Sequence, residues 1–348
     1  MAGKGRAVIV VEAKNVGDRP LYLFGPHTPF ALVDDRLQGK WFRINDVSGA
    51  EVRYAGRHVF MRGSSPESYI QLVPGESIRA EVDLGKEYTF TSSGVHQVST
   101  SMTTYTEVPA AGPDGELSTV PTESFRSAEL DFYLDTSVYT AIAAPLADNV
   151  FPCSEEQLGQ TRQAFYKGSQ SASLTRAILA NSYYYGPVDP QHPEDPPRIH
   201  MRRDPTYVYW FGEWDDDAPQ APDPAAPSTD NARVDEVVVA IAARMAEGFP
   251  TVCDRCPGYS PFTRAWTEGD GTVHMCPVHF SDPISGGVTS QAGTLVHEAS
   301  HIDDARARPT VDHDGVINRA TAHALDRPRA VHSGANYEYY VMNVPLGF

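Results

Sequence analysis

The segment Gly293-Thr294-Leu295-Val296-His297-Glu298-Ala299-Ser300-His301 sets two imidazoles four residues apart with a carboxylate between them. On a helix this spacing puts His297 and His301 one turn apart on the same face. Two ring nitrogens so placed can hold one zinc ion, and Glu298 projects close enough to handle a water there. The H-E-x-x-H pattern is a signature of zinc hydrolases, with the glutamate as general base. Ala292, Leu295 and Val296 supply the apolar side that buries such a helix. Three fixed positions in five also arise by chance on a surface helix, so a third ligand decides the reading.

In the turn after His301 the available aspartates are Asp303, Asp304, Asp312 and Asp314, and Glu338 is the sole glutamate beyond the motif. Asp303 and Asp304 follow His301 too closely and point off the metal-facing side if the helix continues. Asp312 or Asp314 remains. A second constellation, Cys253-x-x-Cys256 with Cys276-x-x-His279, has the spacing of a structural zinc site. With Cys153 the cysteines number four, and an even count equally permits two disulfides in an oxidising compartment.

The elements that must carry these groups differ between the two halves. Residues 8 to about 135 read as short strands separated by turns, with strands near 8–11, 21–24, 40–44, 51–54, 57–61, 69–73, 77–84, 87–91, 95–101 and 129–133. This pattern predicts an antiparallel β-sandwich over 1–135. Its histidines His27, His58 and His96 are scattered and read as surface or packing residues. A connector covers 136–152, with Pro145 and Pro152 preventing a long helix. Ser154 caps a helix running to about Tyr185, and a further helix spans about Val234 to Glu247, ending at Gly248. Between them lie Pro-rich stretches and the aromatic run Tyr207 to Phe211, which should pack on a core.

At 348 residues the chain has room for two domains. Its net charge of −17 argues against a nucleic-acid partner, because phosphate binding needs basic surface. No apolar run approaches the ~20 residues of a membrane helix. The apolar run Ala7 to Val11 is too short for a signal-peptide core, so secretion implies a signal outside this sequence or another route, and an intracellular protein is not excluded.

The motif and its surroundings resemble the deuterolysin and peptidyl-Lys metalloendopeptidase family, the aspzincins. Pro309-Thr310-Val311-Asp312 matches the start of that family's second motif, and the resemblance implies Asp312 as third zinc ligand. Ser290 to Val296, Gly271 to Cys276, Trp210-Phe211-Gly212 and Ala335 to Tyr340 resemble further family segments. The likeness implies disulfides Cys153–Cys253 and Cys256–Cys276. It also implies a mainly α, zincin-like protease domain with a small β-hairpin or sheet over 153–348, and a β-rich propeptide released just before Cys153. One catalytic zinc, peptide substrates and a secreted proenzyme follow, with the N-terminal domain as partner of the protease domain.

The family's tyrosine after the ligand aspartate is absent, which leaves His313 or a tyrosine such as Tyr337 as oxyanion substitutes. Where the Lys-specific members carry an aspartate and a glutamate, this chain has Ala335 and Glu338, so Glu338 is the substrate-binding candidate. Two other readings stay open. One is a zincin-fold binding protein with weakened or lost turnover. The other is an intracellular protein with a structural zinc at Cys253, Cys256, Cys276 and His279.

Overall fold

The computed structural model describes residues 7–61, 65–109, 122–134, 136, 150–185, 199–201, 204–212, 230–286, 289–303, 307–313, 316 and 318–343. The chain divides into two compact units, each drawn from three stretches. Residues 1–152, 251–278 and 311–320 form the first, and 153–250, 279–310 and 321–348 the second. The connector expected at 136–152 lies mostly outside the described residues, as do the Pro-rich stretches 186–198 and 213–229.

The first unit is β-rich. Strand Val8–Lys14 pairs antiparallel with Ser77–Asp83, and its residues alternate. Ile9 and Val11 turn inward while Val8 and Val10 face out, the period of two that a half-covered strand requires. The long strand Gly94–Tyr105 pairs with Leu21–Phe24, Phe42–Asn45, Thr122–Arg126 and Leu130–Leu134. Ile9, Val11 and Val82 from the first pair share one core with Phe42, Ile44, Val98 and Leu134 from the second group.

A five-stranded sheet completes this unit, in the order Val150–Phe151, Thr251–Asp254, Val273–Met275, Thr263–Thr267 and His58–Met61. The last of these was expected in the N-terminal layers. All four of its residues are buried, so it needs cover on both faces, and it pairs antiparallel with Thr263–Thr267. Val59, Met61 and Trp266 share a core with Phe24, Tyr69 and Tyr105. Arg36 bridges Glu87 and Glu268 at 3.1 Å each, and the Arg57 guanidinium lies 4.7 Å over the Trp266 ring. These contacts weld 251–278 to the N-terminal strands.

Cys256 and Cys276 form a disulfide, and Cys153 and Cys253 are also disulfide-bonded. This corrects the structural-zinc reading at Cys253, Cys256, Cys276 and His279. Sulfur in a disulfide cannot act as a thiolate ligand, and His279 is buried with its ring edge-on to Phe280.

The second unit is helical, although α5 straddles the division. Its helices are α1 (Glu155–Ser182), α2 (Pro205–Phe211), α3 (Asp230–Glu247), α4 (Gln291–His301), α5 (Arg319–His323), α6 (Arg327–Ala330) and α7 (Gly334–Asn343). Ser154 and Gln157 exchange side-chain-to-amide hydrogen bonds of 3.2 and 2.8 Å, the capping box that starts α1. The helix stops three residues short of the expectation, because Tyr183–Tyr185 form a strand with Ile199–Met201. Three successive aromatics favour extended backbone once a partner strand is present. The aromatic run is α2, capped by Asp204, with Tyr207, Trp210 and Phe211 buried.

Helix α4 packs against α1, α3 and α7. Gly168 of α1 faces α3 and α4, where a Cβ would run into Cε of Met245 and sit 3.4 Å from the Ala292 carbonyl and the Val296 side chain. All eleven residues of α4 are buried, so solvent cannot satisfy its first amides. The Ser290 hydroxyl accepts from the Gly293 amide at 3.0 Å instead. Replacing Ser290 with Ala should lower stability by about 1–2 kcal/mol, read as a lower urea midpoint at unchanged slope.

Candidate metal centre

His297, Glu298 and His301 lie on α4 with exposures of 1%, 0% and 3%. The rings of His297 and His301 are 4.8 Å apart between centroids. Whether they can bind a metal depends on which nitrogen carries the proton, and the neighbouring hydroxyls settle that for His301. The Ser300 hydroxyl donates to the His297 carbonyl at 2.6 Å. With that proton engaged, the 2.6 Å contact between Ser300 Oγ and Thr310 Oγ1 needs Thr310 as donor. Nδ1 of His301, 3.1 Å from both the Thr310 carbonyl and Oγ1, then faces two acceptors and must itself carry the hydrogen. Nε2 is left with its lone pair, the form a metal needs.

His297 has a different neighbour. Its Nδ1 stands 3.6 Å from Oε2 of Glu338, which is 2% exposed. A carboxylate beside Nδ1 favours the proton there and again leaves Nε2 for a metal. Gly293 makes room for Glu338, since a Cβ at 293 would lie 2.7 Å from Oε1. Glu338 therefore sits behind the histidine, a placement that suits orienting His297.

The loop after His301 is held by buried arginines that the sequence reading passed over. Arg244 donates to the carbonyls of Ala299 at 2.7 Å and Ala307 at 3.4 Å. Arg233 donates to those of Arg308 at 2.6 Å and Pro309 at 3.1 Å. The Thr310 amide donates to the Ser300 carbonyl at 2.9 Å. Every residue from 307 to 310 is thus tied to α3 or α4, two residues before Asp312. The signal was in the sequence: Arg233 and Arg244 fall on the apolar stripe of α3 with Val237 and Ile241, where a charge must be paired.

Asp312 and His313 belong to the first unit and are half-buried. In that unit a ligand atom of His58 lies within 4.8 Å of one of Asp312. His27 is also buried near Asp312. Desolvation lowers its pKa to about 4 against the opposing pull of the Asp312 charge. His27, His58 and His96 are all buried, at 3%, 7% and 0% exposure, so none is a surface residue. Asp303 is exposed, whereas Asp304 and Asp314 lie outside the described residues.

Tyr337 is a correction to the oxyanion candidates. It is fully buried, its hydroxyl donates to the Val331 carbonyl at 2.8 Å, and burial raises its pKa well above the ordinary value. That proton is already engaged by the chain's own backbone.

Two imidazoles one turn apart, His301 held through Nδ1 and His297 with a carboxylate 3.6 Å from its Nδ1, with a buried glutamate between them form a donor set suited to zinc and to metal-assisted hydrolysis. Residues 200–342 match the family described as lysine-specific metallo-endopeptidase. This match and the relatives below support the aspzincins, a family of zinc-dependent metallopeptidases, as what the chain is similar to. It is 25% identical to a peptidyl-Lys metalloendopeptidase of Grifola frondosa, across 99% of this chain and 90% of that one. It is 22% identical to a protein of the same description from Armillaria mellea, over 97% and 87%. An extracellular protease of Aeromonas hydrophila is 21% identical over 95% and 86%. The solved zinc peptidase from Grifola frondosa superposes with a TM-score of 0.40 at 22% identity, over 56% of this chain and 98% of that one.

Gly334, the first residue of α7, tests the geometry around His301. A Cβ there would meet Cε1 of the ring at 2.9 Å and Nε2 at 3.1 Å, while the backbone suits alanine. Gly334→Ala should weaken zinc binding about 10-fold or more, measured by chelator competition, with the circular dichroism unchanged.

Proposed function

We propose that this chain is a zinc endopeptidase made as a proenzyme, with His297, His301 and Asp312 holding the metal and Glu298 as general base. The observation that carries the reading is the proton order at His301, which puts the hydrogen on Nδ1 and the lone pair on Nε2. Asp312 is supported by the family resemblance and by the anchoring of Thr310, two residues earlier, to Ser300 and His301. A bound zinc would polarise the scissile carbonyl and lower the pKa of a water towards ~7.

Glu298 lies beside the two histidines in a site closed to bulk solvent, where its carboxylate can take the proton of the attacking water. It then delivers that proton to the leaving amine. Glu338 and Thr310 keep the two imidazoles in one tautomer throughout, so no ring needs to turn between steps. His313 is the candidate to stabilise the developing oxyanion. Loss of the family's tyrosine there fits slower turnover, since one such donor is typically worth ~10²–10³ in rate.

The relatives carry a lysine preference in their descriptions. Glu338 is buried behind His297 here and position 335 is Ala. We infer a basic preference broader than lysine alone, from an enzyme exported with its disulfides formed. The β-rich N-terminal region serves as its propeptide, aiding folding or holding the enzyme inactive.

Glu298→Gln should keep one zinc per chain and lose at least ~10³-fold in peptide cleavage, whereas His301→Ala should lose the zinc itself. Metal analysis and single-turnover cleavage on the same samples check both, and full activity in Glu298→Gln would rule out the mechanism. On a peptide library, cleavage should fall before arginine as well as lysine; strict lysine selectivity would contradict the proposed role of Glu338.

A further inference from the structure

We propose that His58 is a further ligand of the metal that Asp312 holds, so that in the uncut chain an imidazole from the N-terminal region takes the position that the attacking water needs. The inference deepens the function proposed above and rests on Asp312 being a ligand.

Within the first unit, a ligand atom of His58 lies within 4.8 Å of one of Asp312. Two ligands of one tetrahedral zinc, each about 2.0–2.2 Å from it, stand about 3.3–3.6 Å apart. The observed spacing is therefore within a small side-chain adjustment of shared coordination. Among the described residues, no other histidine of this unit forms such a group with Asp312. His58 is 7% exposed, and its ring is edge-on to Tyr54 at 5.2 Å between centroids. An imidazole in such a place is ordered before any metal arrives, which lowers the entropy cost of ligation.

The backbone holds it there as well. His58 starts the strand His58–Met61, in register with Thr267, while Val59 pairs with Trp266 and Phe60 with Ala265. The partner strand Thr263–Thr267 lies in the part of the chain that the family resemblance assigns to the mature protease. Cutting the chain just before Cys153 would therefore not release His58. The strand stays in the sheet, held by its ladder and by the packing of Val59 and Met61 with Trp266. Activation requires the strand to leave, and cleavage only makes that departure possible.

A catalytic zinc needs three protein ligands and one open position, whereas a structural zinc is closed by four. Added to the three ligands proposed above, His58 would be the fourth. The uncut chain would bind zinc in a closed site, and loss of His58 would convert that site to the open kind. No further chemistry is required, only exchange of a neutral imidazole for a water.

The full-length chain is prepared as wild type, His58→Ala, His58→Phe and His301→Ala. Each is loaded with cobalt(II) for its visible spectrum and with zinc for chelator competition, then assayed on a lysine-containing peptide without processing. Phe fills the space of the imidazole but cannot ligate, so it reports even if His58→Ala fails to fold. The expected result is a changed cobalt spectrum, zinc released about 10-fold or more readily, and cleavage by the uncut chain at least 10-fold above wild type. A folded His58→Phe variant with the cobalt spectrum and zinc retention of wild type would overturn the proposal. If His301→Ala also matches wild type in both, the metal is elsewhere and the proposed function fails with it. Metal loss in His301→Ala beside an unaltered His58→Phe removes only the role of His58.

Discussion

A single proton arrangement decides whether α4 can bind a metal at all. The hydroxyl of Ser300 donates to the carbonyl of His297, Thr310 donates to Ser300, and His301 is left to donate from Nδ1. Each bond forces the next, and the last one exposes Nε2. The chain works only because all its members are buried, where no water competes for the same protons. The surrounding elements serve this condition. Helices α1, α3 and α7 enclose α4, Ser290 caps it, and Gly168 and Gly334 leave room at its two ends.

The same reasoning gives the buried arginines their place. A guanidinium with 2–3% exposure is costly unless its donors are matched, and Arg233 and Arg244 meet backbone carbonyls of the loop and of α4. Two burdens cancel, and residues 307–310 are tied to the helices.

Much of the site was legible because its determinants are local. The i, i+4 histidines, the apolar positions between them and the capping residue Ser154 all act within a turn or two of helix. The β-branched run Val8 to Val11 was equally visible as a strand. Determinants that act across long sequence separations were not. Nothing near residue 58 announces that His58–Met61 will pair with Thr263–Thr267, because a short, fully buried strand looks alike in any sheet. The competing zinc reading of Cys253, Cys256, Cys276 and His279 had the same origin, since spacing alone cannot separate a thiolate cage from a disulfide. The family resemblance supplied the long-range information that periodicity lacks.

The account stands most directly on the position of the metal. Anomalous diffraction at the zinc edge, on crystals of the zinc-loaded full-length chain, locates it without reference to activity. The account predicts one peak, bonded to Nε2 of His297, Nε2 of His301 and a carboxylate oxygen of Asp312. A peak bonded through Nδ1 of either histidine, or lying away from α4, would contradict it.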